Sequence, residues 1–142
     1  MPTQQDELYA AERLVSKGRQ FDTYEELQVF VDELRDTSWW QRDYDMVRRV
    51  EVGKADQRVT RGSVGWWEPA MAAGRIEMWT GHMNLQVIAH ELSHVLAEAK
   101  WGSKSHDPLF ARTYANLTYY LRGSEAWLEL QRAFDSHGID YA

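Results

Sequence analysis

The chain has 142 residues and 44% hydrophobic content, which suits a single globular domain over residues 1–142 and excludes extensive disorder. Its net charge of −6 argues against nucleic acid as an obligatory partner, because phosphate binding needs clustered positive charge. Cysteine is absent, so disulfides are excluded and any metal must be held by His, Asp or Glu.

The N-terminal segment from Met1 to Gly18 is polar and charged, without the apolar stretch of a signal peptide. No run in the chain approaches the length of a membrane span. We therefore expect a cytoplasmic protein that has no membrane partner.

Two helices are predicted in the N-terminal part of the chain. Gln4 to Lys17 has apolar residues on one side, and Gly18 would end this helix. Thr23 to Glu26 has the pattern of a capping box and predicts the start of a second helix. Trp39 and Trp40 then lie in a stretch that we expect to form a turn.

Three short segments rich in Val, Ile and Trp predict β-strands, because Gly, Asp and Pro separate them. They are Val47 to Val52, Val59 to Trp67 and Arg75 to Trp79. Their order predicts a small, twisted and mainly antiparallel sheet.

The most informative segment follows the last strand and reads His90-Glu91-Leu92-Ser93-His94. Apolar residues repeat around it at helical spacing, at Leu85, Ile88, Leu92, Val95 and Ala99. We predict an amphipathic helix from about Asn84 to Lys100, with Asn84 as its N-cap. Residues four apart project from one helix face, so His90 and His94 can bind one metal ion with Glu91 as general base.

A catalytic zinc site usually has three protein ligands, and three residues are candidates for the third position. Glu98 lies eight residues beyond His90, roughly 12 Å along a helix, which is too far for one ion to reach both. Asp107 has the position of a helix N-cap. His106 ends a Gly/Ser loop that can fold back over the metal helix. We predict His106 as the third ligand and keep Asp107 as the alternative.

Two further helices complete the predicted fold. Asp107 and Pro108 open the first of them as N-cap and first helical residue, and Gly123 ends it. Its apolar stripe consists of Phe110, Tyr114, Leu117 and Leu121. Ser124 is predicted to cap a last helix that runs to about Ser136. The element order predicts an α+β fold in which helices flank a small sheet.

Three motifs between about Arg75 and Leu121 carry a resemblance to a known class of enzymes. They are Ile76-Glu77-Met78, His90-Glu91-Leu92-Ser93-His94-Val95-Leu96 and His106-Asp107-Pro108-Leu109-Phe110. This segment resembles the small zincin metallohydrolases, including SprT-like metalloproteases. It is more similar still to a family of metallohydrolases of actinobacteria and their phages, with H-E-L-x-H-V-L followed by His-Gly-Pro-x-Phe. Asp107 departs from the Gly of that pattern.

The resemblance implies a minimal zincin-like domain with one zinc ion per chain on His90, His94 and His106, and with Glu91 catalytic. The expected activity is hydrolysis of a protein or peptide substrate, in which Glu91 takes a proton from a zinc-activated water and passes it to the leaving amine. Candidates for an oxyanion donor, or for a hydrogen-bond partner of a ligand, are Tyr114, Arg112 and His82.

The resemblance also suggests where a substrate binds. In zincins the strand before the metal helix commonly forms the upper wall of the cleft, and its free edge can pair with an extended peptide. In this chain the corresponding residues are Arg75, Ile76, Glu77, Met78 and Trp79. We therefore predict a substrate peptide bound as an added strand along this segment.

Two other functions stay open. Regulatory proteases that cleave phage or toxin repressors also carry H-E-L-x-H, but typically continue with an acidic ligand and an Asn/Ala/Phe-rich helix. A non-catalytic zincin-fold binding protein would hold zinc structurally, and a structural site has four closed ligands and no base. Glu91 therefore favours catalysis. Nucleic-acid contact is disfavoured, because acidic residues interleave the basic ones from Arg42 to Arg61.

Overall fold

The computed structural model describes residues 3–56 and 62–141 and has the predicted α+β class. The helices are α1 (Gln4–Glu12), α2 (Tyr24–Arg35), α3 (Ser38–Asp43), α4 (Leu85–Trp101), α5 (Pro108–Arg122) and α6 (Ser124–Ser136). The strands are β1 (Arg49–Lys54), β2 (Val64–Glu68) and β3 (Ala73–Met78), and short 3-10 turns lie at Pro69–Met71 and Thr80–His82. Within the described ranges, no helix has the length and apolar character needed to cross a membrane.

The sheet is mixed and not mainly antiparallel, which corrects the prediction. Its strand order is β1-β3-β2, with β1 parallel and β2 antiparallel to β3. After β1 the chain forms the far edge as β2, then turns back through Pro69–Met71 to insert β3 between the other two strands. Local sequence patterns set where strands occur but not their order in the sheet. The first residues of the predicted strand Val59 to Trp67 lie outside the described residues.

The central position of β3 contradicts the added-strand role predicted for the segment from Arg75 to Trp79. Both edges of β3 are already paired, with Arg75 opposite Glu51 of β1 and opposite Trp66 of β2. Trp79 lies just beyond the strand, and its backbone N–H donates to the hydroxyl of Ser63. This segment therefore has no free edge that a substrate peptide could use.

The two outer edges of the sheet have different surroundings. On β1, the Gln28 side chain of α2 accepts a hydrogen bond from Val52 N–H and donates one to the carbonyl of Val50. On β2, Trp67 N–H donates to Glu98 of α4 at 3.4 Å. Because hydrogen-bonding directions alternate along an antiparallel strand, the backbone of Gly65 faces the same outer edge as Trp67. This edge of β2 lies beside the metal helix.

Helix α4 packs closely under the sheet because two glycines face it. A Cβ on Gly65 would overlap the backbone carbonyl of Glu91, and a Cβ on Gly74 would overlap the side chain of Val95. Any larger residue would have to push the helix and the sheet apart. This packing role depends on contacts between distant segments, so no local sequence pattern indicates it.

Helix α1 ends at Glu12, earlier than predicted, because carbonyl groups in the segment after it accept hydrogen bonds from the first backbone amides of α4. The amide of Leu85 donates to the carbonyl of Arg19 at 2.8 Å, and the amide of Gln86 donates to that of Lys17 at 3.1 Å. A helix continuing to Lys17 could not place these carbonyls there. This tertiary requirement outweighs the helical pattern of the segment.

The helix caps were predicted with mixed success. Asn84 and Asp107 are the N-caps of α4 and α5, as predicted, and each accepts a backbone N–H three residues later. Thr23 caps α2, but its predicted capping box is only half formed. Ser124 is the first residue of α6 and not its cap. Trp39 and Trp40, predicted as a turn, lie in α3.

Candidate metal centre

Three histidines converge at one point, and they are the three predicted ligands. The Nε2 atom of His106 lies 3.2 Å from Nε2 of His90 and 3.1 Å from Nε2 of His94. One ligand atom from each ring lies within 4.8 Å of the others, so the three are close enough to hold a metal ion. Glu98 and Asp107, the other candidates for the third position, are not members of this cluster.

Local structure accounts for the position of each ring. His90 and His94 lie one turn apart on α4. Gly102 ends that helix in the left-handed conformation at φ 71°, which reverses the chain. His106 follows at the end of the loop, immediately before Asp107, which accepts hydrogen bonds from Ser103 Oγ and Phe110 N–H. His106 is thus held directly before the capped start of α5.

Phe110 forms the apolar support of the three histidine rings. It is fully buried and stacks on His94 with ring centroids 4.2 Å apart. Its ring also contacts His90 and His106 edge-on, at 5.1 and 5.0 Å. Phe110 therefore packs α5 against α4 and closes one side of the cluster to water.

Glu12 of α1 is a member of the site that the sequence did not reveal. Its Oε2 lies 2.9 Å from Nδ1 of His90, and the same oxygen accepts a hydrogen bond from the Tyr114 hydroxyl at 2.7 Å. Tyr9, one turn earlier on α1, stacks on His90 with an interplanar angle of 6°. The contact between Glu12 and His90 spans 78 residues of sequence, so no local pattern could have indicated it.

Positive charge in the histidine cluster is concentrated on the ring of His90. Burial lowers the pKa of His90, but the carboxylates of Glu12 and Glu91 outweigh this and raise it to about 9. Burial and the neighbouring His90 lower the pKa of His106 to about 4, and the same two causes lower that of His94 well below its ordinary value. His94 and His106 are therefore neutral, with lone pairs available to a metal.

Glu91 lies beside the ligands on α4 and is almost fully buried. Burial raises the pKa of its carboxyl to about 7, with a further contribution from Glu12 and an opposing one from His90. Glu91 and His90 both line a cleft of about 880 Å³. Tyr9 of α1 and Arg13, which directly follows this helix, line the same cleft.

The remaining predicted site residues have different positions. His82 lines the cleft and stacks on Trp79 with ring centroids 5.3 Å apart, so it stays a candidate donor to substrate. Tyr114 is fully buried behind His90 and contacts Glu12, so it is a partner of the site and not an oxyanion donor. Arg112 is exposed on α5 near Tyr44, which contradicts its predicted role. Arg112 does not lie on the face of α5 that packs against α4.

The donor set fits a divalent transition metal. Three histidine imidazoles are ligands that zinc and its neighbours accept, and a metal that binds His90 would displace the extra proton of that ring. Within residues 3–56 and 62–141, the cluster holds no fourth His, Asp or Glu ligand atom. A metal ion held by these three histidines would keep a coordination position for water or substrate. No protein-family model, curated protein or solved structure matches the chain.

Proposed function

We propose that this protein is a zinc-dependent metallohydrolase, specifically a peptidase of narrow specificity with a minimal zincin-like site. The observation that carries the proposal is the convergence of His90, His94 and His106, of which His90 lines a cleft together with Glu91. Three protein ligands and a free carboxylate are the composition of a catalytic zinc site, whereas structural zinc sites have four closed ligands. The resemblance of the motifs to small zincins supports the same assignment.

Zinc is the preferred metal because the site offers three imidazoles and no thiolate. Imidazole also suits copper, iron and nickel, but the three-histidine set with an open position is the composition used by hydrolytic zinc. When bound, a divalent ion supplies Lewis acidity that activates a water molecule and polarises a carbonyl group. One ion per chain is expected.

The residues of the chain then perform the proton transfers. Glu91 accepts a proton from the attacking water and returns it to the nitrogen of the leaving amine. Its burial at the cleft limits the access of other water to the carboxylate. His82 is the candidate for a hydrogen bond to the oxyanion, because it lines the same cleft.

The substrate we propose is an extended peptide that pairs with β2. We assign the peptide to β2 and not to the segment from Arg75 to Trp79, because β3 is already paired on both edges. The first residue of β2, Val64, and the two residues before it line the cleft together with Glu91. Gly65 follows them and lies directly against the backbone of Glu91. A peptide added to this edge would run past the metal centre and could present a scissile bond to it.

Substitution of Glu91 by Gln tests whether the site is catalytic. Because Glu91 is not a ligand, the variant should keep its fold and one zinc per chain while hydrolysis falls about 10² to 10⁴-fold. Wild-type and variant protein are incubated with a cell lysate, new peptide termini are compared by mass spectrometry, and zinc is measured by elemental analysis. The matched control is Glu125→Gln, which makes the same change at an exposed site on α6.

Two outcomes would argue against a hydrolase. Equal sets of new termini for wild type and Glu91→Gln would mean that no cleavage depends on the base. Full retention of the biological effect by Glu91→Gln would favour the non-catalytic binding protein. Cleavage confined to one repressor-like substrate would instead place the enzyme among the regulatory proteases.

A further inference from the structure

We infer that Glu12 is a positioning residue for the metal centre, holding His90 through its Nδ1 atom so that Nε2 points at the metal. The inference rests on the proposed function only in that the three histidines must bind a metal. It assigns a functional role to helix α1, which lies outside the segment that resembles known enzymes.

The geometry of His90 fixes the direction of the hydrogen bond. Its Nε2 is directed at the convergence point with His94 and His106, and a nitrogen that binds metal carries no proton. Nδ1 must then carry the proton and donate it to Glu12 Oε2, 2.9 Å away. A carboxylate in this position fixes the ring and raises the basicity of the ligating nitrogen.

His90 is distinguished from the other two ligands by this contact. In the described part of the chain, neither His94 nor His106 has a protein hydrogen-bond partner at Nδ1. His94 is instead fixed by stacking on Phe110, and His106 by the loop and cap that precede α5. Loss of the Glu12 contact would therefore act on one ligand and leave the support of the other two unchanged.

Glu12 is built into a buried chain of hydrogen bonds, all directed towards its carboxylate. The side chains of Glu12 and His90 are only 13% and 4% exposed. Tyr114 donates its hydroxyl hydrogen to Glu12, so Gln86 Nε2 must donate to the Tyr114 oxygen, at 2.8 Å. Arg122 in turn donates to Gln86 Oε1.

The direction of these hydrogen bonds favours the ionised form of the Glu12 carboxyl group. A carboxylate can only accept, and its Oε2 receives one donor from the metal ligand and one from Tyr114. Removing the charge would leave two buried donors facing a weaker acceptor, which carries an energetic cost. A purely structural role, in which Glu12 only fastens α1 to the rest of the protein, would need no such link to a ligand.

Helix α1 supplies a matched control for that structural role. Glu7 forms a second carboxylate–histidine contact, 2.8 Å from Nδ1 of His137. This pair also fastens α1, but His137 follows α6 and is not part of the metal cluster. Glu7→Ala therefore removes a carboxylate–histidine attachment of the same kind, in a more exposed position, without affecting the three clustered histidines.

The experiment compares Glu12→Gln, Glu12→Ala and Glu7→Ala with the wild type, using zinc affinity from chelator competition. We expect Glu12→Ala to weaken zinc binding about 10 to 100-fold, Glu12→Gln to fall between it and wild type, and Glu7→Ala to bind like wild type. The second readout is the His90 imidazole proton in ¹⁵N-histidine NMR of zinc-loaded protein. A downfield, slowly exchanging Nδ1–H resonance should be present in wild type and lost in Glu12→Ala.

Several outcomes would overturn the inference. Zinc affinity within twofold of wild type for Glu12→Ala and Glu12→Gln would do so, as would an equal loss in Glu7→Ala. If Glu12→Ala does not fold, the test depends on Glu12→Gln. An unchanged Nδ1–H resonance and an unchanged zinc affinity in that variant would also overturn the inference. A wild-type chain that binds no zinc would overturn the proposed function as well. If the wild type binds zinc and the Glu12 variants bind it equally well, only the inference about Glu12 fails.

Discussion

His106 differs from the other two ligands because a loop and a cap, and not a continuous helix, hold it in place. Its neighbour Asp107 accepts hydrogen bonds from Ser103 and Phe110, so Asp107 is engaged as a helix cap and is not a member of the cluster. Glu98 is engaged at the backbone of Trp67. Each of the three rival ligands thus has a separate structural role, and their substitutions should have separate effects.

We expect His106→Ala to weaken zinc binding strongly, since it removes one of three ligands. Asp107→Ala should mainly cost a helix cap, about 1 kcal/mol of the free energy of unfolding, with a smaller effect on zinc. Glu98→Ala should leave zinc affinity nearly intact. Zinc titration and urea unfolding of the three variants separate these effects. Loss of zinc by Asp107→Ala or Glu98→Ala, with retention by His106→Ala, would show that the site has an acidic ligand.

At the level of elements, the contact between α4 and the sheet depends on the absence of side chains at two positions. Gly65→Ala places a methyl group against the backbone carbonyl of Glu91, which cannot move without moving the helix. We expect a loss of about 1 to 3 kcal/mol in the free energy of unfolding, together with weaker zinc binding. The measurement is the denaturant midpoint with and without zinc.

Gly81→Ala is the control for this prediction. A Cβ at Gly81 meets no atom within 4 Å, and its backbone φ is not in the left-handed region. This variant should unfold close to wild type. If Gly65→Ala and Gly81→Ala were equally stable, the close approach of β2 and α4 would not be a determinant of the fold.

The elements that local sequence predicted are those in which local signals and tertiary contacts agree. The amphipathic repeat of α4, its Asn84 cap and the cap at Asp107 are set by neighbouring residues, so their positions and that of His106 followed from the sequence. The strand order and the end of α1 depend on contacts between distant segments. Glu12 belongs to the second group, because its partners His90 and Tyr114 are 78 and 102 residues away.

For the whole molecule, the candidate metal centre joins three parts of the chain that are distant in sequence. Helix α4 supplies His90 and His94, the loop before α5 supplies His106, and α1 reaches the site through Glu12. The cluster exists only when these parts are assembled, so zinc should bind the folded chain far more tightly than the unfolded one. We therefore expect metal binding and folding to be coupled.

This coupling predicts that zinc raises the melting temperature and that a chelator lowers it. At free zinc about 100 times the dissociation constant, the expected stabilisation is about 2.7 kcal/mol, equivalent to several degrees in a domain of this size. Calorimetry of metal-free, zinc-loaded and chelator-treated protein measures it, and the shift should grow with zinc concentration. His106→Ala is the control, because its shift should be much smaller at the same zinc concentration. An equal shift in His106→Ala would mean that zinc stabilises the protein from another site, and no shift in wild type would mean that the three histidines do not form a metal centre.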